Sequence, residues 1–84
     1  MKTLTLYSRA GCHLCERMIN DLMMLQQHQQ PFQILVIDID GDEKLRDRYN
    51  ERVPLLVGGK QELCEYWIDS APILDYLQRH QDIH

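Results

Sequence analysis

Polar and apolar positions alternate at the start of the chain. "LTLY" at 4–7 mixes aliphatic, β-branched and aromatic residues and ends in Ser8, Arg9 and Gly11. This pattern predicts a strand over residues 2–7. From Cys12 the period lengthens. Leu14, Met18, Leu22 and Leu25 stand three or four apart, and Cys15, Ile19 and Met23 widen the stripe, as one face of a helix requires. That helix is expected to fade in "QQHQQ" and to stop before Pro31, since proline cannot continue the hydrogen-bond ladder. "FQILVID" at 32–38 reads as a second strand, aliphatic enough to be buried on both faces as in a parallel pair. Strand, helix and strand at this spacing imply a right-handed parallel crossover. Asp42 then offers an N-cap, with Leu45 and Tyr49 as the narrow apolar stripe of a short helix. "VPLLVGGKQELCEYW" predicts a hairpin: strand 55–57, a turn at Gly58–Gly59 and strand 61–67. A last helix is capped by Asp69 or Ser70, carries Pro72 in its first turn and turns Ile73, Leu74 and Leu77 inward. The order βαβαββα describes an α/β fold with a four-stranded mixed sheet flanked by helices.

With 84 residues and no repeat, linker or composition break, residues 1–84 form a single domain. A chain of this size buries only roughly 60–65% of its unfolded surface, so the core is small. The formal net charge of −4 speaks against a phosphate-binding face. The densest basic stretch, "KLRDRYNER", is interrupted by Asp47 and Glu51 and reads as a solvated helix face. No nucleic-acid partner is expected. The first residues lack the continuous apolar core of a signal peptide, and the longest aliphatic run, "ILVI", is too short to span a bilayer. The expectation is a cytoplasmic protein without a membrane partner, monomeric, in a compartment that keeps thiols reduced.

That setting changes the meaning of the three cysteines, Cys12, Cys15 and Cys64. Neither the odd count nor the compartment suits a structural disulfide framework. Positions i and i+3 on a helix have Cβ atoms ~5–6 Å apart, and a disulfide needs Cα atoms ~4.4–6.8 Å apart. Cys12 and Cys15 can therefore bond and separate with little backbone movement. Cys12, at the helix start, faces free N–H groups and the positive end of the helix dipole, which favour a thiolate. His13, Arg9 and Arg17 are placed to tune it further. Cys15, one turn in and on the apolar side, suits a resolving thiol. Zinc is an alternative, but CxxC supplies half of a common site, and Cys64 and the histidines His13, His28, His80 and His84 would have to converge. Two merely packed cysteines are the other alternative. Cys64, in mid-strand, reads as packing.

Taken together, "LTLYSRAGC" running into "CHLC", the acidic strand end "VIDID" and "VPLLVGGKQEL" after the second helix resemble the glutaredoxin-like proteins of the thioredoxin-fold superfamily. The resemblance covers nearly the whole chain in order. It implies a thioredoxin-like fold with a cis Val53–Pro54 bond against the CxxC, and backbone at Val53 and Pro54 that pairs with substrate. The chain departs from the usual glutaredoxin pattern at three points. Arg52 replaces the threonine before Val-Pro, His-Leu replaces Pro-Tyr inside the CxxC, and "EYWIDSAP" lacks the Gly-Gly and double aspartate that contact glutathione. Arg52 or Arg9 could hold a carboxylate, and Asp69 is the one aspartate left as a substrate contact. Tyr66 and Trp67 follow the last strand, and alternation predicts one of them buried.

The expected function is thiol–disulfide exchange, with Cys12 as nucleophile and Cys15 as resolving thiol. The substrate would be a disulfide-bearing protein or small molecule. No bound cofactor or metal is expected; glutathione or an external reductase would return the electrons. A thioredoxin-fold binding module without turnover is the rival from another class.

Overall fold

The computed structural model describes residues 2–28 and 31–79. Its elements are β1 (Thr3–Ser8), α1 (His13–His28), β2 (Gln33–Asp38), a 3-10 turn at Ile39–Gly41, α2 (Glu43–Tyr49), β3 (Leu55–Gly58), β4 (Gln61–Glu65) and α3 (Ser70–Arg79). The strands form one sheet in the order β2-β1-β3-β4. β1 runs parallel to β2 and antiparallel to β3, and β3 runs antiparallel to β4. This is the α/β, four-stranded mixed sheet that the element order implies.

Strand alternation sends successive residues to opposite faces, and the two faces are covered differently. Leu4 and Leu6 of β1 and Leu56 of β3 join Met18 and Leu22 of α1 and Ile73, Tyr76 and Leu77 of α3 in the main core, closed by Phe32. On the other face Leu55 packs with Ile39 and Tyr49, bordered by Tyr7, Leu45, Val53 and Val57. The Tyr7 and Tyr49 rings stack there with centroids 4.5 Å apart. Each fully buried aliphatic or aromatic side chain contributes about 1.5–3 kcal/mol.

Several expectations are corrected. β2 is not buried on both faces: it is an edge strand, with Leu35 50% and Val36 44% exposed. Met23 lies outside the α1 stripe and is exposed, and in α3 Tyr76 rather than Leu74 joins the core beside Ile73 and Leu77.

The hairpin turn falls at Gly59–Lys60, because Gly58 is still a strand residue opposite Gln61. A Cβ on Gly58 would stand 2.7 Å from the Tyr76 ring, so α3 can approach β3 only over a glycine. Leu56 faces Cys64 but Val57 faces Glu62, which marks Leu63 as the extra residue of a β-bulge. The bulge places the consecutive Leu63 and Cys64 in the same core. β4 ends at Glu65, and Tyr66 takes a left-handed φ of 70°. Alternation therefore stops before it could bury either aromatic, and Tyr66 and Trp67 are both exposed.

The Val53–Pro54 peptide bond is cis. Among the described residues no helix is long and apolar enough to cross a membrane. His80 and His84, named above as conceivable metal ligands, lie outside the described residues. Among those described, no group of three or more His, Cys, Asp or Glu side chains is placed to hold a metal ion.

Candidate functional site

The pairing of Tyr7 with Leu55 brings the end of β1 beside the start of β3. The loop carrying Cys12 and the segment ending in Val53 and Pro54 thus leave the sheet at one end, from its two central strands. The chain must reverse over the sheet to enter α1, and Gly11 makes that turn with a φ of 74°, a conformation L side chains resist.

Cys12 sits immediately before α1, and its carbonyl accepts the Glu16 N–H at 3.1 Å. Its sulfur accepts the Cys15 N–H, also at 3.1 Å. A backbone donor at the positive end of the helix is thus aimed at the sulfur, and that arrangement stabilises an anion there. Cys12 is half-buried, whereas Cys15 is 2% exposed on the core side of α1. The two are bridged as a disulfide, with Cα atoms 5.2 Å apart. Val53 is half-buried and Pro54 buried, and the Pro54 carbonyl accepts the Tyr66 N–H at 2.8 Å.

The charged candidates are largely engaged. Arg9 donates from Nε and Nη2 to the two oxygens of Asp40, at 3.1 and 2.7 Å, and from Nη1 to the backbone and side-chain oxygens of Asn50. The Arg9 hydrogen bond holds the Asp40 carboxyl below its ordinary range. Arg52 donates through Nη1 and Nη2 to both oxygens of Glu62, at 3.1 and 2.6 Å, and through Nε to Glu65 at 3.0 Å. The Glu62 and Glu65 hydrogen bonds raise its pKa further. Asp69 uses its side chain to accept the Ala71 N–H at 3.2 Å, capping α3. His13 is the exposed first residue of α1.

Sequence reading missed two things here. The first is this set of internal counter-charges, Asp40, Glu62 and Glu65, with Tyr66 adding a tie by donating its hydroxyl to the Glu51 carbonyl. The second is a cleft of ≈ 230 Å³ between Leu14, Arg17, Met18 and Asp21 of α1 and Tyr66, Trp67 and Ile68. The helical spacing of 14, 17, 18 and 21 was the available signal for one wall, but the opposite wall is set by where β4 ends.

Cys64 is buried, and its sulfur exchanges hydrogen bonds of 3.4 Å with the N–H and carbonyl of Asp69. Burial pushes its thiol pKa up, so little thiolate forms at neutral pH. A short pulse of iodoacetamide on the reduced native protein should therefore label Cys12 and spare Cys64. Peptide mass mapping reads the result, and labelling of Cys64 at the same rate would contradict its assignment to packing.

Residues 3–78 match the family model described as Glutaredoxin-like domain (DUF836). The chain belongs to this glutaredoxin-like family. Protein Ne2328 from Nitrosomonas europaea is similar at 47% identity, with 89% of each chain covered and a TM-score of 0.78. Protein XcR50 from X. campestris is similar at 30% identity, over 93% of this chain and 99% of that one, with a TM-score of 0.68. Glutaredoxin of E. coli, 19% identical over 93% of this chain and 96% of its own, has a TM-score of 0.56 and shares the fold. No curated protein matches the chain significantly. Family membership makes a thiol-redox role possible for the CxxC without fixing a reaction.

Proposed function

We propose that this glutaredoxin-like protein is a thiol–disulfide oxidoreductase. The observation that carries the reading is the asymmetry of the pair: a half-buried Cys12 sulfur held by the Cys15 N–H at the start of α1, and a buried Cys15 within bonding reach.

In the reducing direction, the Cys12 thiolate attacks one sulfur of a substrate disulfide. The substrate S–S bond breaks, one substrate thiolate leaves and takes up a proton, and a mixed disulfide remains on Cys12. Cys15 then gives up its proton and attacks the Cys12 sulfur, releasing the second substrate thiol. Two electrons have passed to the substrate, and Cys12 and Cys15 are left bridged. Glutathione, another dithiol or an external reductase must return those electrons. Backbone around Val53 and Pro54 is the proposed surface on which substrate chain aligns beside the sulfurs. The compartment proposed for this cycle is the cytoplasm.

Titration in glutathione redox buffers, read by intact mass, tests the reading. The expected result is a reversible loss of two hydrogens per chain that maps to Cys12 and Cys15. Thiols that stay reduced across the cytosolic range would leave a binding module on the same scaffold as the better account.

A further inference from the structure

Arg9 stands three residues before Cys12, and Asn50 stands three residues before Val53. The Arg9 side chain joins these two stretches. Its Nη1 donates to the backbone carbonyl and to the side-chain oxygen of Asn50, at 3.0 Å each. Nε and Nη2 meanwhile grip both oxygens of Asp40, in the turn that follows β2. All three guanidinium nitrogens are engaged, so the planar fork has one orientation. A lysine ammonium carries the same charge but is a point donor, and it cannot reproduce the bidentate grip on Asp40 while reaching Asn50.

The stretch that Arg9 holds is also fastened from the other side. The Glu51 carbonyl accepts the Tyr66 hydroxyl. Arg52 binds Glu62 and Glu65 of β4, and the Pro54 carbonyl accepts the Tyr66 N–H. Those bonds set residues 51–54 against β4 and its end, but none of them reaches the loop that carries Cys12. The Arg9 bonds run from that loop to the start of the stretch, and Asp40 holds the guanidinium in place.

Charge alone does not account for this arrangement. The Arg9–Asp40 ion pair is 2.7 Å long with the Arg9 side chain 29% exposed, and the carboxylate offsets the field that the guanidinium would otherwise send toward the Cys12 sulfur. An exposed pair of this kind also adds little stability. What the four hydrogen bonds do supply is a fixed geometry.

We infer that Arg9 is a positioning residue: it fixes the Val53–Pro54 backbone relative to Cys12, and it acts through the geometry of its fork rather than through its charge. Its part in the reaction rests on the oxidoreductase reading; the joining of the two stretches does not. A substrate chain must present its sulfur to Cys12 and align along Val53 and Pro54 at once, so a shift between the two costs it reactive geometry. A small disulfide, with no chain to align, loses less.

The test uses the reduced full chain and its Arg9→Lys, Arg9→Gln and Asn50→Ala variants in single turnovers, quenched in acid and read by intact mass as the loss of two hydrogens. The substrates are hydroxyethyl disulfide and a disulfide-linked pair of identical hexapeptides. In Arg9→Lys the peptide-to-hydroxyethyl ratio of second-order rate constants should fall about tenfold. Asn50→Ala should lower that ratio too, and the double variant should be no worse than Arg9→Lys alone. Iodoacetamide alkylation of Cys12 should keep its pH midpoint in both Arg9 variants. Hydrogen exchange at the Arg52 amide, which donates to the Tyr49 carbonyl at 2.9 Å, should quicken in Arg9→Lys.

An unchanged ratio in Arg9→Lys overturns the inference, and an equal fall with both substrates is one such case, the mark of a merely structural residue. An additive double variant overturns it as well. So does a pH midpoint that rises in Arg9→Gln and returns in Arg9→Lys, which would make the charge the acting feature. Wild-type protein that reacts with neither disulfide removes the oxidoreductase reading instead, and exchange at Arg52 then decides alone whether Arg9 joins the two stretches.

Discussion

Cys12→Ser should reduce disulfide exchange to the uncatalysed background, while Cys15→Ser should accumulate a covalent mixed disulfide on Cys12. The difference between the two variants matters more than either alone. A serine hydroxyl at position 12 still fits the start of α1 and can still accept the Cys15 N–H, so the fold should persist. What disappears is the half-buried thiol of the pair, and with it the sulfur to which the attack is assigned. Removing Cys15 leaves that sulfur and its helix-end donors in place but takes away the group that releases the substrate. Intact mass after incubation with a peptide disulfide separates the outcomes: no adduct for the first variant, and one stable half-disulfide adduct for the second. An adduct on the Cys12 variant, or equal turnover by all three proteins, would refute the assignment of roles.

Phe32→Ala should cost about 3–5 kcal/mol of folding stability, the largest effect expected from a single core truncation here. The ring is 1% exposed and is the chain's one phenylalanine. It sits where α1 has ended and β2 begins, packed among Leu4, Leu22 and their neighbours, and its carbonyl accepts a hydrogen bond from Gln26 at 2.6 Å. The Gln33 N–H that follows donates to the Lys2 carbonyl at 2.7 Å, so the peptide group after Phe32 is held at both its carbonyl and its N–H and has little freedom to collapse into the space a smaller residue leaves. Domains carry roughly 0.05–0.15 kcal/mol of stability per residue, so a chain of this length holds about 4–13 kcal/mol and the variant would lose a large share. Urea unfolding of reduced and oxidised protein measures it. A loss below about 1.5 kcal/mol would mean that the site does collapse.

The parts of this molecule that sequence reading recovered are those with local causes. β1 and α1 follow from a change of period at Cys12, the capping of α2 by Asp42 from one side chain reaching Lys44 N–H at 2.8 Å, and the disulfide from two cysteines a helical turn apart. The failures share a cause as well. Nothing in "FQILVID" says which strands flank it, so the aliphatic sequence of an edge strand reads as one buried on both faces. The place of Gly58 depends on Tyr76, eighteen residues later, pressing its ring against the backbone. Arg9 and Arg52 looked available to a ligand because their acidic partners stand 31 and 10–13 residues away. At the candidate site, then, the bridged pair Cys12 and Cys15 was legible and the cleft lined by Tyr66 and Trp67 was not: pairs of distant residues meet only once the strand order is known.

That edge strand has a consequence of its own. β2 presents a row of unpaired backbone groups at the border of the sheet, with Leu35 and Val36 uncovered beside them, and such a border is a template on which another strand can crystallise. Neither proline nor lysine interrupts it, and Asp38 alone brings charge to its end. The net charge of −4 on each molecule is a long-range repulsion that opposes such pairing. That repulsion reaches only as far as the ionic atmosphere lets it, and it fades as salt compresses that atmosphere to less than a strand's width.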